Sequence, residues 1–382
     1  MTRSKANADG RTGGLGGFVR SPVNWLLVFV PMCIVLDRVV EAPAAARFAC
    51  AALAILPLAS LLISATEQIA QRTGQAVGGL LNATFGNAPE LIITGVALRT
   101  GDFDLVRAAI VGGILGNLLF GVGVAFFAGG LKHHVQEYNP RGTRVQSSML
   151  LVAAISLIVP SVFHNFIAPE TVALEQSLSA AVSVVLLVTY GLSLVFMLGT
   201  HPDYYAAPEG EGEAEEHTRW PLSAAVGALV GCSVVLAVVS EILVGSVEAT
   251  AQAMGLSKAF IGVIFLALLG GFAETMAAVV MARRNKMDLA MGIAEGSSIQ
   301  IAMFVAPVLV LASYAIAPTP MNLVLGNAGV VTILLAVLIS SMVSGDGQSN
   351  WFKGLQLIAV YVLFALFCFY LPDNIAAPVP AP

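Results

Sequence analysis

The sequence predicts an all-α integral membrane protein of about 11 transmembrane helices, built as two inverted five-helix repeats plus an extra N-terminal helix. Three observations lead there. Of 382 residues, 57% are hydrophobic and only 11% charged, against about 25% charged in a soluble domain. With a mean hydropathy of +0.86, one buried core cannot absorb that much apolar surface, so most of it faces lipid. A soluble enzyme, a nucleic-acid binder and a disordered scaffold are excluded on this ground. Second, apolar runs long enough to span a bilayer, ~20 residues each, recur along the chain. Third, the chain repeats itself at fixed offsets.

In order, residues 1–20 are polar, Gly-rich and basic, with Arg3, Lys5, Arg11 and Arg20. The apolar run that follows has no clean small-residue cleavage site, and further spans succeed it, so this is a tail rather than a signal peptide. Apolar runs then fall near 23–40, 45–66, 76–98, 105–130, 147–164, 177–199, 221–245, 259–282, 288–312, 321–343 and 354–371. The expected organisation is a tail (1–20), an extra span (21–44), a first repeat (45–200), an acidic loop (201–220), a second repeat (221–372) and a C-terminal tail (373–382). With the N-terminus inside, thirteen Lys and Arg lie in cytoplasmic segments, among them Arg72, Lys132, Arg141, Arg144, Arg283, Arg284, Lys286 and Lys353. Five lie outside: Arg38, Arg47, Arg99, Arg107 and Lys258. The positive-inside rule therefore sets the N-terminus in the cytoplasm and the C-terminus outside, in a membrane whose plainest assignment is the prokaryotic cytoplasmic membrane. Net charge is −5, but six of 23 acidic residues crowd between Asp203 and Glu216. Cys33, Cys50, Cys232 and Cys368 are scattered in apolar runs without metal or disulfide spacing. The sequence leaves the oligomeric state open.

The repeat is carried by several landmarks. Glu90 in FGNAPELI and Glu274 in GGFAETMA are each followed fourteen residues later by Asp-Leu, at Asp104-Leu105 and Asp288-Leu289. Twenty-two residues after each glutamate a glycine opens a small-residue stretch, at Gly112 and Gly296. Upstream, Glu67 and Gly74 share the spacing of Glu248 and Gly255. The two copies start five spans apart, an odd number, so they insert in opposite directions. Inverted repeats with Gly- or Pro-interrupted segments are the secondary-transporter pattern, with the substrate site near the midplane.

A carboxylate within a span costs about 2.5–3.5 kcal/mol or more, so Glu90 and Glu274 are the first candidates. Their plain alternative is a protonated or end-of-helix glutamate. Paired, they are predicted to hold a cation and to exchange it for protons. Asn87 lies one helical turn before Glu90 and shares its face. Pro89, which lacks an N–H, and Gly86 together predict a broken helix there. Asn117 and Gln300 are amides in otherwise apolar runs and, with Ser297, are predicted to line the site. Gly112, Gly113 and Gly116 permit close helix packing. An all-oxygen donor set suits a hard cation such as Ca²⁺ and not a soft metal. Two carboxylates match two positive charges or two protons, which favours exchange of a divalent cation for protons. Ligand type alone leaves Na⁺, K⁺ or another divalent ion open, as it does a non-transporting ion sensor or a channel. His164, at the end of a span, reads as a hydrogen-bonded histidine rather than a ligand. No hydrolase triad, zinc-protease motif or phosphate loop is present, so the chain is a transporter and not an enzyme. No cofactor is implied; the ion and protons are cargo.

Residues 78–98 (GGLLNATFGNAPELIITGVAL), 240–265 and 285–311 resemble the signatures of the cation/proton exchangers of the calcium/cation antiporter superfamily. The resemblance covers residues 60–312 and implies an eleven-span antiporter that expels cytosolic Ca²⁺ against proton entry. In that family a Gly-Asn-x-x-Glu motif in each repeat supplies the ion site, which falls here on Asn87 with Glu90, and on Glu274. The second motif departs from the usual Gly-Asn-Ala-x-Glu-His. It reads Gly270-Gly271-Phe272-Ala273-Glu274-Thr275, without the amide and the histidine. Family serines give way to Gly113 and Gly116. Glu295 stands where the family has a small or apolar residue. On a helix it lies ~200° from Ser297, so it either pairs elsewhere or lies on a water path. The run EGEGEAEE, with Glu209, Glu211, Glu213, Glu215 and Glu216, reads most simply as a solvated loop. The resemblance implies instead a Ca²⁺-sensing regulatory segment.

Overall fold

The protein is described here as a computed structural model covering residues 22–73, 78, 81, 84–166, 172–201 and 220–371. A 3₁₀ turn, Pro22–Val28, leads into α1 (Phe29–Arg38). Then come α2 (Ala44–Ala70), α3 (Ala88–Arg99), α4 (Phe103–His133), α5 (Pro140–His164), α6 (Val172–Thr200) and α7 (Leu222–Met254). The chain continues through α8 (Lys258–Gly270), α9 (Phe272–Arg283), α10 (Met287–Ile316), α11 (Gly326–Ser344) and α12 (Trp351–Tyr370). Among the described residues, eight helices are long and apolar enough to cross a membrane, and the pair α8–α9, bent by 56° at its break, makes a ninth. The expected tails and the acidic run at Glu209–Glu216 lie outside the described residues.

The helices begin where the sequence supplies caps. Asp102 accepts from the Leu105 N–H before α4, Asn139 from Arg141 before α5, Ser257 from Phe260 before α8, and Asn350 from Phe352 and Lys353 before α12. Each satisfies N–H groups that the first turn leaves orphaned. α7 stops at Gly255, whose φ of +65° is left-handed, the usual glycine exit from a helix.

α4 forms the centre of the bundle: 83% of its most apolar stretch is buried, against 17% for α6. α6 and α7 instead turn Val184, Val185, Val188, Leu192, Val230 and Val234 outward. Such rows are too apolar for a water-facing surface and suit lipid. α4 passes so close to α8 that a Cβ on Gly112 would fall 2.2 Å from the Val263 carbonyl oxygen, so only glycine fits.

One feature was not foreseen from the sequence. β1 (Val135–Glu137), between α4 and α5, pairs antiparallel with β2 (Gln348–Asn350), between α11 and α12, with Val135 opposite Asn350. Nearby, Lys132 and His133 bond the Arg283 carbonyl, and Gln136 donates to the Ala282 carbonyl and the Asn285 side chain. These bonds gather the ends of α4 and α9 and the starts of α5 and α12 on one face of the molecule. On it lie Lys132, Arg283 and Lys353, which the charge rule assigns to one side.

Candidate functional site

Two helix breaks build the site. α3 starts after Asn87 (φ −97°, ψ 22°) with Pro89 in its first turn, and α9 starts after Gly271 (φ −79°, ψ 13°). Glu90 and Glu274 are each the third residue of the helix so begun. Each carboxyl therefore sits beside helix N–H groups that favour negative charge. The break expected from Gly86 and Pro89 is present, and the second copy has its counterpart without a proline.

Glu274 is buried, and Glu90 packs on the glycine pair just before its helix, with Cγ 3.0 Å from where a Cβ on Gly270 would be. Both carboxylate oxygens of Glu90, Oε2 of Glu274 and Oδ1 of Asn87 are buried with no hydrogen-bond partner. A buried polar atom left unsatisfied costs about 1–3 kcal/mol. Four such acceptors in one locus can take a cation, protons or the hydrogens of water. Among the described residues no group of three or more His, Cys, Asp or Glu is arranged to hold a metal. The donor set is thus two carboxylates and amides.

Asn87 Nδ2 donates to Gln300 Oε1. That bond fixes the Asn87 amide so that its own oxygen remains available, and it uses one of the two lone pairs of the Gln300 oxygen. Asn117 is buried in a π-helical stretch of α4, Gly116–Gly121, and a second such stretch, Ile301–Val305, follows Gln300 in α10. Such bulges recur at functional sites because they redirect side chains. Asn117 Oδ1 stands 2.7 Å from where a Cβ on Gly271 would be. The Asn117 amide thereby occupies the space beside Gly271, at the break between α8 and α9. A Cβ on Gly270 would likewise fall 3.0 Å from Glu90 Cγ. The Gly270-Gly271 pair thus admits Glu90 on one side and Asn117 on the other.

A cavity of about 380 Å³ leads to this locus. Glu274, Ser297 and Gln300 line it, with Glu67, Gln146, Thr143 and Tyr190 along its wall and Asn139 and Asp288, bonded to each other, near the face that carries the β-pairing. Glu90 does not line it; with Thr94 it borders a separate pocket of about 20 Å³. The two glutamates therefore see different surroundings in this conformation. Glu67, Asp288, Gln146 and Tyr190 were not foreseen as lining residues. Asp288 stood in the sequence only as a repeat landmark; it accepts from the Asn139 N–H at 2.7 Å. Glu67 and Glu248, matched by spacing, diverge in place: Glu248 pairs with Lys258 at 3.1 Å. His164 is hydrogen-bonded as expected, to Glu175. Gly113 packs against Ile301, whereas Gly116 meets only Ala267 at ordinary contact distance. Glu295 is buried away from the cavity and lies 3.3 Å from Ser344 Oγ.

A family model described as sodium/calcium exchanger protein matches residues 43–199 and again 224–370. The chain belongs to that family. It is 41% identical over 342 residues to the Ca²⁺/H⁺ antiporter of Synechocystis, covering 85% of this chain and 91% of that protein. It is 41% identical over 344 residues to the Ca²⁺/H⁺ antiporter ChaA of Bacillus subtilis, covering 90% and 97%. The solved structure of native YfkE superposes with a TM-score of 0.79 at 38% identity, covering 91% of this chain and all of that one.

Proposed function

We propose that this protein is a secondary antiporter that exports cytosolic Ca²⁺ in exchange for protons, by alternating access around Glu90 and Glu274. The observation that carries the reading is the set of four unpartnered acceptor oxygens at Asn87, Glu90 and Glu274. The same carboxylates bind either one divalent cation or protons, and this competition makes the exchange obligatory. The protonated, uncharged pair crosses the low-dielectric layer cheaply. Asn87 and Ser297 add oxygens to the ion, Gln300 holds Asn87 in place, and Asn117 supplies the amide that position 271 lacks. The relatives named Ca²⁺/H⁺ antiporter support the ion choice.

The family model's two matches support two repeats. With α1 and its 3₁₀ turn, α3 and its preceding residues, and α8–α9 each taken as one span, the chain crosses the bilayer eleven times. The second repeat is inverted, and the domain limits are those set out from the sequence. The basic face is cytoplasmic and the C-terminus lies outside. The cavity then opens towards the cytoplasm, and Ca²⁺ enters past Glu67 and Asp288. Deleting residues 207–217 tests the acidic run. Intact transport marks a solvated loop, and a changed apparent Ca²⁺ affinity marks a regulatory segment.

The deciding measurement uses everted vesicles with an acid interior and a pH-sensitive dye. Ca²⁺, Na⁺, K⁺, Mg²⁺ and Mn²⁺ are added in turn to wild type, Glu90→Gln and Glu274→Gln. Proton release on Ca²⁺ addition, lost in both variants, is the expected result. A response confined to another ion would overturn the Ca²⁺ assignment, and activity retained in both variants would overturn the site.

A further inference from the structure

Two polar side chains of α5 line the cavity but stand short of the ion site. Thr143 and Gln146 are 4% and 7% exposed and lie one turn apart on one face of the helix. Asp288 accepts from the Asn139 N–H, so α5 and α10 start side by side and run inward together. At ~1.5 Å of rise per residue, Thr143 is level with Gly292, and Gln146 stops short of Ser297 and Gln300. The Thr143 hydroxyl donates to the Asn139 carbonyl at 3.2 Å. Its one hydrogen is spent, and it turns only lone pairs to the cavity. The Gln146 side chain has no hydrogen-bond partner among the described residues. Across from them on α10, Gly292 and Gly296 line the same cavity, and a Cβ on either would meet nothing within 4 Å. The walls carry the carboxyls of Glu67, Asp288 and Glu274 and, among the described residues, no Lys, Arg or His. Such a lane is lined by oxygen acceptors and by one sign of charge, which draws cations and repels anions.

We propose that Thr143 and Gln146 form a transit site for the partly hydrated cation between the mouth of the cavity and Glu274, and that Gly292 and Gly296 keep the lane beside it wide enough for the ion's remaining water. This rests on the reading of the ion site given above. A divalent cation such as Ca²⁺ takes 6–8 oxygens, and a charge that sheds its water before finding partners is costly inside a protein. The Thr143 hydroxyl and the Gln146 amide replace part of the shell and leave the rest to water. Being neutral, they hold the ion weakly and let it pass on to the carboxylates. They lower the barrier to entry and to exit alike. Neither touches the ion once it rests at Glu90 and Glu274, so neither sets its affinity there.

Two measurements on the purified full-length protein in detergent test this. The first compares wild type with Thr143→Val and Gln146→Leu. Equilibrium binding of radioactive Ca²⁺ gives the affinity, and stopped-flow mixing with a fluorescent chelator gives the rate of release. Each variant is expected to release Ca²⁺ about 2- to 10-fold more slowly, the worth of one polar contact, with its affinity unchanged. An unchanged affinity also shows that the ion site is intact. Unchanged or faster release in both variants overturns the proposal. So does a loss of affinity in both, which would place the two side chains in the final site or in its support. The second measurement uses Gly292→Cys and Gly296→Cys, whose added atoms have open space. Both are expected to react with a cationic, water-soluble methanethiosulfonate, whereas wild type, whose four cysteines are buried, is not. Unreactive thiols at both positions overturn the lane. If wild type binds no Ca²⁺, the reading of the ion site fails, and the thiol reactions still decide whether a water-filled lane runs along α10.

Discussion

Asn117 fills the space that a side chain at Gly271 would take, its Oδ1 2.7 Å from the position of a Cβ there. One amide from the first half of the chain thereby sits at the break in the second half, and its Nδ2 is buried without a partner. An amide absent from the sequence at position 271 is thus present in space beside it.

Putting the family's asparagine back at this position should therefore harm the protein. Gly271→Asn is expected to destabilise it by about 1–3 kcal/mol, the usual cost of overpacking, and to weaken Ca²⁺ binding. Gly271→Asn with Asn117→Ala should recover most of both. Thermal unfolding in detergent and Ca²⁺ titration of the four proteins of the cycle measure the coupling; additive effects would contradict the contact.

Asn87 and Gln300 should behave as one unit. Either one changed to Ala is expected to raise the Ca²⁺ KM about 2- to 10-fold, and the double variant should be little worse than the worse single one. The check is a double-mutant cycle on transport KM.

Gly112→Ala places a methyl 2.2 Å from the Val263 carbonyl oxygen. Backbone cannot move aside as a side-chain tip can, so a loss of at least ~1–3 kcal/mol is expected. Gly116→Ala, which meets only Ala267 at 3.8 Å, should be close to neutral. Comparing the detergent-extracted yield and melting temperature of the two separates close packing from any need for glycine as such.

Asp346, outside the spans between α11 and β2, gives a pH prediction. Burial acts to raise its pKa, but the hydrogen bonds from Lys353, 2.6 Å away, and from the Gln348 N–H outweigh it and hold it below its ordinary value of 3.8. A depressed carboxyl pKa stabilises the folded state above the unfolded value and loses that effect as pH falls through the folded one. The melting temperature of wild type should therefore exceed that of Asp346→Asn at neutral pH, with the gap shrinking below about pH 4. A gap independent of pH would show that the charge is not its source.

Much of this was legible because membrane insertion writes itself into composition. The apolar runs located the helices, and the rarity of buried carboxylates singled out Glu90 and Glu274. Gly86 and Pro89 announced the first break. What could not be read were contacts that bring distant segments together: Asn87 on Gln300, Asn117 beside Gly271, Glu295 on Ser344. No local pattern encodes them, because each depends on how helices far apart in sequence come to face one another. The β1–β2 pairing, three residues a side, is too short to leave an alternation in the sequence.

That short pairing limits how the molecule can move. β1 belongs to the first half of the chain and β2 to the second, and the bonds from Lys132, His133 and Gln136 to the end of α9 cross the same divide. The halves are sewn together along one face, so they cannot swing apart there as two rigid shells without tearing backbone hydrogen bonds. In the antiport mechanism proposed above, a movement that keeps these bonds falls on helices outside the seam. α2 and α7 are such helices, and they are tied to each other where Gln68 and Arg72 hold the backbone of Trp220.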